Sequence, residues 1–436
     1  MWNLDKKLVA LKEEHREIRC AIIGAGQMGK GLITQFLMIP GVIPTIIANR
    51  TVQKAYDIMT GCGIAPETIV IVETVAEANA AIAAGKWVIT QDPMIACTAE
   101  AVQCVVEATG VPELGAFVAT TAIKNRKHIV MLNVECDVVI GPYLHHLARE
   151  AGVIYTGSAG DEPAAAMELY SFAKAIGFEV LVIGKGKNNA VDLTCNPDSV
   201  REEAIRRGMN PRILAEFKDG TKTMVELACM SNATGFVPDV IGAHGLKSDV
   251  QGLNQKYRLK TEGGHLNQHG VVEYVDGISP GVFVTVHSDN PEYLFHLDYL
   301  KMGEGPFWTL YRPYHLCNLE TPITIYKAVI DNETTIVPLD GLVSECIAKA
   351  KKDLHPGDTL DGIGGYTAHG SLATYTESKT KGYVPMGLIT TQAVVTKPIK
   401  QGEILTYDNV QVDDTTLIYQ LRQAQDNLWQ SKMASQ

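Results

Sequence analysis

Arg19-Cys20-Ala21-Ile22-Ile23-Gly24-Ala25-Gly26-Gln27-Met28-Gly29 decides the fold. An apolar run of this length, rich in Ile, suits a parallel strand buried on both faces. The three glycines then fit G-x-G-x-x-G at the turn from a strand into a helix, the context that motif requires. Gly24 permits the tight turn, Gly26 lets backbone approach a pyrophosphate, and Gly29 allows the helix to lie close to the strand. The helix start that follows, Gln27 and Met28 included, offers unpaired N–H groups and a positive dipole end to phosphates. The bland alternative is a tight strand–helix turn that holds nothing.

The next strand, Val42 to Ala48, ends in Asn49-Arg50-Thr51. A dinucleotide site that prefers NAD usually places Asp or Glu here, on the ribose 2′-hydroxyl. No carboxylate is present, and Arg50 can pair with a 2′-phosphate. The expected cofactor is therefore NADP(H), held by Gly24, Ala25, Gly26, Gln27, Met28, Gly29, Asn49 and Arg50. Another strand, Cys104-Val-Val-Glu107, runs into Ala108-Thr109-Gly110. Ligands of such sheets lie beyond the carboxyl ends of strands, so this segment is expected on the nicotinamide side.

Further strands are expected at Ile69-Val-Ile-Val, Trp87-Val-Ile-Thr and His128-Ile-Val-Met, with helices at Val75 to Ala84 and Met94 to Gln103. Alternation of this kind means an α/β fold with a doubly wound parallel sheet of the Rossmann type. Residues 1–18 form an amphipathic helix, with Leu4, Leu8 and Leu11 at helical spacing. Three regions are expected: 1–150 as the NADP-binding domain, 151–334 as an α+β domain for substrate and oligomerisation, and 335–436 as a small, mostly β domain.

The 436 residues exceed one ordinary core. With 46% hydrophobic and 20% charged residues, the chain has the balance of a soluble globular protein. The net charge of −11 argues against a nucleic-acid partner, which needs a concentrated basic surface. No stretch approaches a membrane span, and Met1 to Arg19 has no apolar core of a secretory signal. The nine cysteines are scattered without C-x-x-C, so reduced core residues and a cytoplasmic location are expected.

Candidates for the chemistry lie at later strand ends. Asn133-Val-Glu135-Cys-Asp137 carries two carboxylates at i and i+2, which an extended segment would project to one side. Gly160-Asp161-Glu162-Pro163 adds two more. These could hold a divalent cation such as Mg²⁺ or Mn²⁺, or act as general acid and base. Asp161 could equally be only a helix cap. Gly184-Lys185-Gly186-Lys187-Asn188-Asn189 reads as a turn that cradles an anion, or as a plain charged surface turn. Lys222, in Asp219-Gly-Thr-Lys222, could polarise a carbonyl. Tyr311-Arg312-Pro-Tyr314-His315 adds Arg312 and His315 as substrate contacts, with Asn133, Asp161, Glu162 and Asn188.

In this order, these segments resemble the homoserine-dehydrogenase-like oxidoreductases that carry a C-terminal SAF domain, the latter on Leu354-His-Pro-Gly-Asp-Thr-Leu-Asp-Gly-Ile-Gly-Gly and Ile399-Lys-Gln-Gly-Glu-Ile-Leu-Thr. One branch is the 1-deoxy-D-xylulose 5-phosphate reductoisomerase-like enzymes. The resemblance implies NADP-dependent reduction of a small phosphorylated carbonyl compound in a homodimer or tetramer. In that branch an isomerisation precedes hydride transfer and gives 2-C-methyl-D-erythritol 4-phosphate. It also implies a divalent cation near Glu135, Asp137 and Glu162. Homoserine dehydrogenases usually follow the strand-end Asn with a catalytic Lys, whereas here Val134 and Glu135 follow Asn133. Lys185, Lys187 or Lys222 would supply that cation instead. Oxidation or reduction of a homoserine-like or sugar-acid substrate without isomerisation is the second enzyme reading, and an NADPH-binding regulator is the non-enzyme one.

Overall fold

The computed structural model describes residues 3–187 and 189–434, the last four as backbone only. The fold is α/β, in two compact units. One comprises the chain up to Asp161, Leu316–Asp340 and the stretch from Thr416; the other comprises Glu162–His315 and Gly341–Thr415.

The first unit is built on a seven-stranded parallel sheet. Its spatial order is Ile69–Val72, Trp87–Thr90, Val42–Ala48, Ile18–Ile23, Cys104–Glu107, His128–Met131 and Tyr155–Gly157. Strand Cys104–Glu107 is buried at every position, as a strand covered by helices on both faces must be. The chain first builds outward on one side of Ile18–Ile23, then crosses to pair Cys104–Glu107 on the other. That reversal opens a crevice at the carboxyl ends of these two strands. The N-terminal helix, Leu4–Glu13, packs Leu4, Leu8 and Leu11 against the same core. The expected helix from Met94 to Gln103 is shorter, Pro93–Thr98.

The second unit holds a five-stranded mixed sheet in the order Phe307–Arg312, Val282–His287, Glu179–Lys187, Val271–Asp276 and Leu246–Lys247. Helices Glu162–Ala175 and Thr221–Thr234 pack on its central strand. An antiparallel ribbon, Ser344–Ala350 with Ala368–Thr374, docks on the second of these helices.

The C-terminal region differs from its mostly β expectation. The ribbon and the short pair Val394–Val395 with Val410–Gln411 are β, but the chain ends in the helix Leu417–Ala434, which returns to the first unit. There Gln425 accepts the Tyr143 N–H at 3.0 Å and donates to the Val139 carbonyl at 3.0 Å. Leu417, Leu421 and Leu428 recur at helical spacing, a signal that follows directly on Pro/Gly turns typical of short strands. All nine cysteines are free and most are buried.

Candidate functional site

In the first unit the glycine loop has the geometry its sequence implied. Gly24 has φ +105°, and a Cβ there would meet the Ala108 carbonyl oxygen at 2.9 Å. A Cβ on Gly29 would lie 1.9 Å from the Gly24 oxygen, so the helix Gln27–Met38 can sit this close only with glycine. Gly26 is different. Nothing lies within 4 Å of the space its Cβ would fill. An open face above tightly packed backbone is what a ligand passing close to the chain requires, so the residues fit a dinucleotide.

Asn49 clips this loop in place. Its Oδ1 accepts the Ala25 N–H at 2.9 Å and its Nδ2 donates to the Thr51 carbonyl at 2.7 Å. Arg50 is exposed, its carbonyl held by Gln91 Nε2 at 2.8 Å, and among the described residues its guanidinium pairs with no carboxylate. Beside Gly24, Glu107 is fully buried. It accepts hydrogen bonds from the Thr109 N–H, at 3.0 Å, and the Thr109 hydroxyl. Burial pushes its carboxyl up to about 7 despite those bonds.

Asn133, Glu135 and Asp137 do not form the extended acidic pair expected of them. Asn133 caps the helix Val134–Ala151, accepting the Cys136 N–H at 3.1 Å and donating to the Val111 carbonyl at 2.9 Å. Residues two apart on a helix lie about 200° round the axis, so the carboxylates diverge. Asp137 instead accepts the Tyr155 hydroxyl at 2.6 Å.

The Gly/Lys segment is not a turn either. It is the carboxyl-terminal half of strand Glu179–Lys187. Alternation puts Gly184 and Gly186 on one face and Lys185 and Lys187 on the other. A Cβ on Gly184 would meet the Glu273 oxygen at 2.3 Å, and one on Gly186 the Ile278 oxygen at 1.6 Å. The glycines therefore serve close packing and leave the two lysines together on the helix-covered face. Asn188 lies outside the described residues.

On that face Lys185 is 5% exposed. Its ammonium donates to Glu162 at 2.7 Å and to Glu226 at a very short distance. Burial alone would lower its pKa, but the two carboxylates outweigh burial and hold it above the ordinary lysine value. Glu162 is the reciprocal case: burial opposes its charge, and Lys185, then His315, keep it below the ordinary range. His315 Nε2 lies 3.4 Å from Glu162, and Arg312 pairs with Glu168 at 2.8 Å while stacking on Tyr314. Glu226 was missed in the sequence, although a lone carboxylate inside Met224-Val-Glu-Leu-Ala-Cys229 is a signal of a buried partner. Glu162 and Glu226 present ligand atoms within 4.8 Å of each other, as a cation site would. The Lys185 ammonium already occupies the position between Glu162 and Glu226, and Glu135 and Asp137 diverge.

Lys187 is nearly buried and donates to the Phe217 carbonyl at 2.8 Å. Burial, then the charge of Lys185, lowers its pKa to about 8. It faces a cavity of about 220 Å³ with Tyr274 and Thr223 on the walls. Lys222 lies on the first turn of helix Thr221–Thr234 and does not line it. Asp161 accepts a weak bond from the Cys317 thiol at 3.7 Å.

Two family models match parts of the chain. Residues 160–321 match the catalytic domain of Oxidoreductase DRL, and residues 7–109 match Shikimate / quinate 5-dehydrogenase. Each spans less than half of the sequence. No curated protein matches it. Among solved structures, a probable dehydrogenase of Thermotoga maritima aligns with 74% of this chain and 91% of its own, at 15% identity and TM-score 0.42. The scyllo-inositol dehydrogenase of Lactobacillus casei, with NAD(H) and scyllo-inositol bound, aligns over 67% and 76% at 12% identity and TM-score 0.37. GenD2 from gentamicin A biosynthesis, in complex with NAD, aligns over 75% and 89% at 14% identity and TM-score 0.36. The glycine loop on its parallel sheet, with the two family matches, makes the chain an oxidoreductase of the nicotinamide-dependent class. Among the described residues no helix is long and apolar enough to cross a membrane.

Proposed function

We propose that the chain is an NADPH-dependent reductase of a small, phosphorylated carbonyl compound, working as a homo-oligomer in the cytoplasm. The observation that carries the reading is the open Gly26 face, clipped by Asn49 and followed by the exposed Arg50. An arginine there can pair with a 2′-phosphate, and nothing acidic replaces it. When bound, the nicotinamide supplies the hydride. The chain's own residues supply the rest. Lys187 holds a proton at Nζ with a pKa of about 8 and gives it to the carbonyl oxygen as negative charge develops there. Lys185, held charged between Glu162 and Glu226 on the same strand face, adds to burial in lowering the Lys187 pKa.

Within this class the finer reading is a 1-deoxy-D-xylulose 5-phosphate reductoisomerase-like enzyme with a SAF-like C-terminal segment. The lysine between Glu162 and Glu226 favours a second reading: metal-free oxidation or reduction of a homoserine-like or sugar-acid substrate. Loss of NADPH absorbance with 1-deoxy-D-xylulose 5-phosphate, with and without Mg²⁺ or Mn²⁺, separates them. Metal-dependent turnover supports the first. Formation of NADPH from NADP⁺ with homoserine or sugar acids only, without added metal, supports the second. NADPH binding without turnover on any of them overturns both, and absence of NADPH binding overturns the cofactor assignment.

A further inference from the structure

The cavity beside Lys187 has a second wall that neither family match reaches. It comes from the ribbon: Lys349 and His369 stand directly opposite each other on its two strands, so both side chains leave the same face, and both line the cavity. The ribbon is fixed there by two ties. Gly370 N–H donates to the Thr221 hydroxyl at 2.8 Å, and Gly242 N–H donates to the Leu372 carbonyl at 2.7 Å. Beneath it, Lys351 pairs with Asp219 at 2.7 Å, both fully enclosed, and donates to the Cys195 and Gly365 carbonyls at 2.6 and 2.7 Å.

That pairing settles the charge of the lining. Asp219 is the one carboxylate among the lining residues, and Lys351 neutralises it. Lys187 and Lys349 remain, and among the described residues neither forms an ion pair. His369 is 3% exposed and lies near the Gly370 carbonyl, with Nδ1 at 3.1 Å. A carbonyl only accepts, so Nδ1 carries the proton and Nε2 is the nitrogen left over. Helix Thr221–Thr234 starts at the same cavity from Gly220, its first N–H already accepted by Asp219 Oδ1 at 2.8 Å. Two cations and a protonatable imidazole converge on one small space. At about 220 Å³ it has room for roughly seven waters' worth of liquid volume, a metabolite rather than a drug-sized ligand.

We infer that this cavity binds a small dianionic group, a phosphate or a dicarboxylate, and that Lys349 and His369 of the ribbon determine its specificity. The inference rests on the reading that Lys187 faces substrate, and adds that the segment after Gly341 forms part of the binding wall. Anion binding brings negative charge to His369, so the imidazole takes up a proton as the site fills.

The test is melting temperature against inorganic phosphate, and separately malonate, at constant ionic strength with chloride as the control. The parent is expected to rise saturably with one or both. Lys349→Met should weaken the apparent affinity at least tenfold, the loss of one charge-assisted hydrogen bond of about 1.5–3 kcal/mol. Lys349→Arg should retain most of it. His369→Gln should remove the tightening that remains once pH has fallen below the Lys187 pKa of about 8. NADPH binding by fluorescence should be the same in all three variants. No response in the parent beyond chloride, or unchanged affinity in Lys349→Met, overturns the inference. Failure of NADPH binding in the parent would instead strike the cofactor assignment and leave the anion site standing.

Discussion

Replacing Lys185 with Met tests the centre of the second unit. The side chain keeps its length and apolar stem but loses the ammonium that answers Glu162 and Glu226. Removing one member of a buried ion pair costs about 3–5 kcal/mol, because a charge is left uncompensated in a poorly solvated place. For a unit of roughly 230 residues, each kcal/mol moves the melting temperature by about 2–4 °C, so a fall of roughly 6–20 °C is expected. The pH dependence gives a sharper signature. In the parent, Glu162 lies below its ordinary 4.5, so the stability it contributes is present above that value and is lost only as pH falls through the folded pKa. Lys185 lies above its ordinary 10.5, so its contribution is present below that value and is lost only as pH rises through the folded pKa. Through the neutral range the pair's contribution is therefore constant. In the variant, burial and mutual repulsion raise both carboxylates, and a raised carboxyl loses stability as pH rises through it. The melting deficit should therefore be small near pH 5 and largest near pH 8, a window set by the ordinary and raised carboxyl values. Adding Glu226→Leu should restore part of it, since an apolar replacement removes the stranded charge. Scanning calorimetry across this range decides the matter. A variant melting within roughly 2 °C of the parent at every pH would refute a charged, structurally committed Lys185.

Two further outcomes follow from named contacts. Arg50→Asp should reverse the preference between NADPH and NADH in kcat/KM, since a carboxylate repels a 2′-phosphate and accepts from a 2′-hydroxyl; an unchanged ratio would exclude Arg50 from the cofactor site. With Lys187 as proton donor, kcat should decline as pH rises through about 8. Lys187→Ala should lower kcat at least a hundredfold and remove that limb, given the usual worth of a positioned general acid; a retained limb in the variant would assign the proton to another group.

The glycine loop could be read from one stretch because its demands are local. Three glycines, the strand before them and the helix after them lie within Ile18–Met38, and the end of the next strand adds Asn49 and Arg50. The same was true of the parallel sheet, whose strands announce themselves as short apolar runs between helices. The lysine strand was misread for an equally physical reason. Glycine alternating with lysine suits a turn by composition, and only the neighbouring backbones at Glu273 and Ile278 explain why the intervening positions must lack side chains. Glu135 and Asp137 changed meaning with the backbone: two residues apart, they share a side of a strand and diverge on a helix.

The amino-acid sequence by itself therefore determined the glycine loop, because a tight strand–helix turn is a property of a contiguous stretch. Only the tertiary structure decided the chemical half. Lys185 meets Glu162 and Glu226 across a strand and two helices, and Asp219, in the turn between two helices, meets Lys351 at the end of a ribbon strand. Lys349 faces His369 through strand register alone. Such pairs depend on which face each element buries and on what packs there, and no spacing along the chain encodes that.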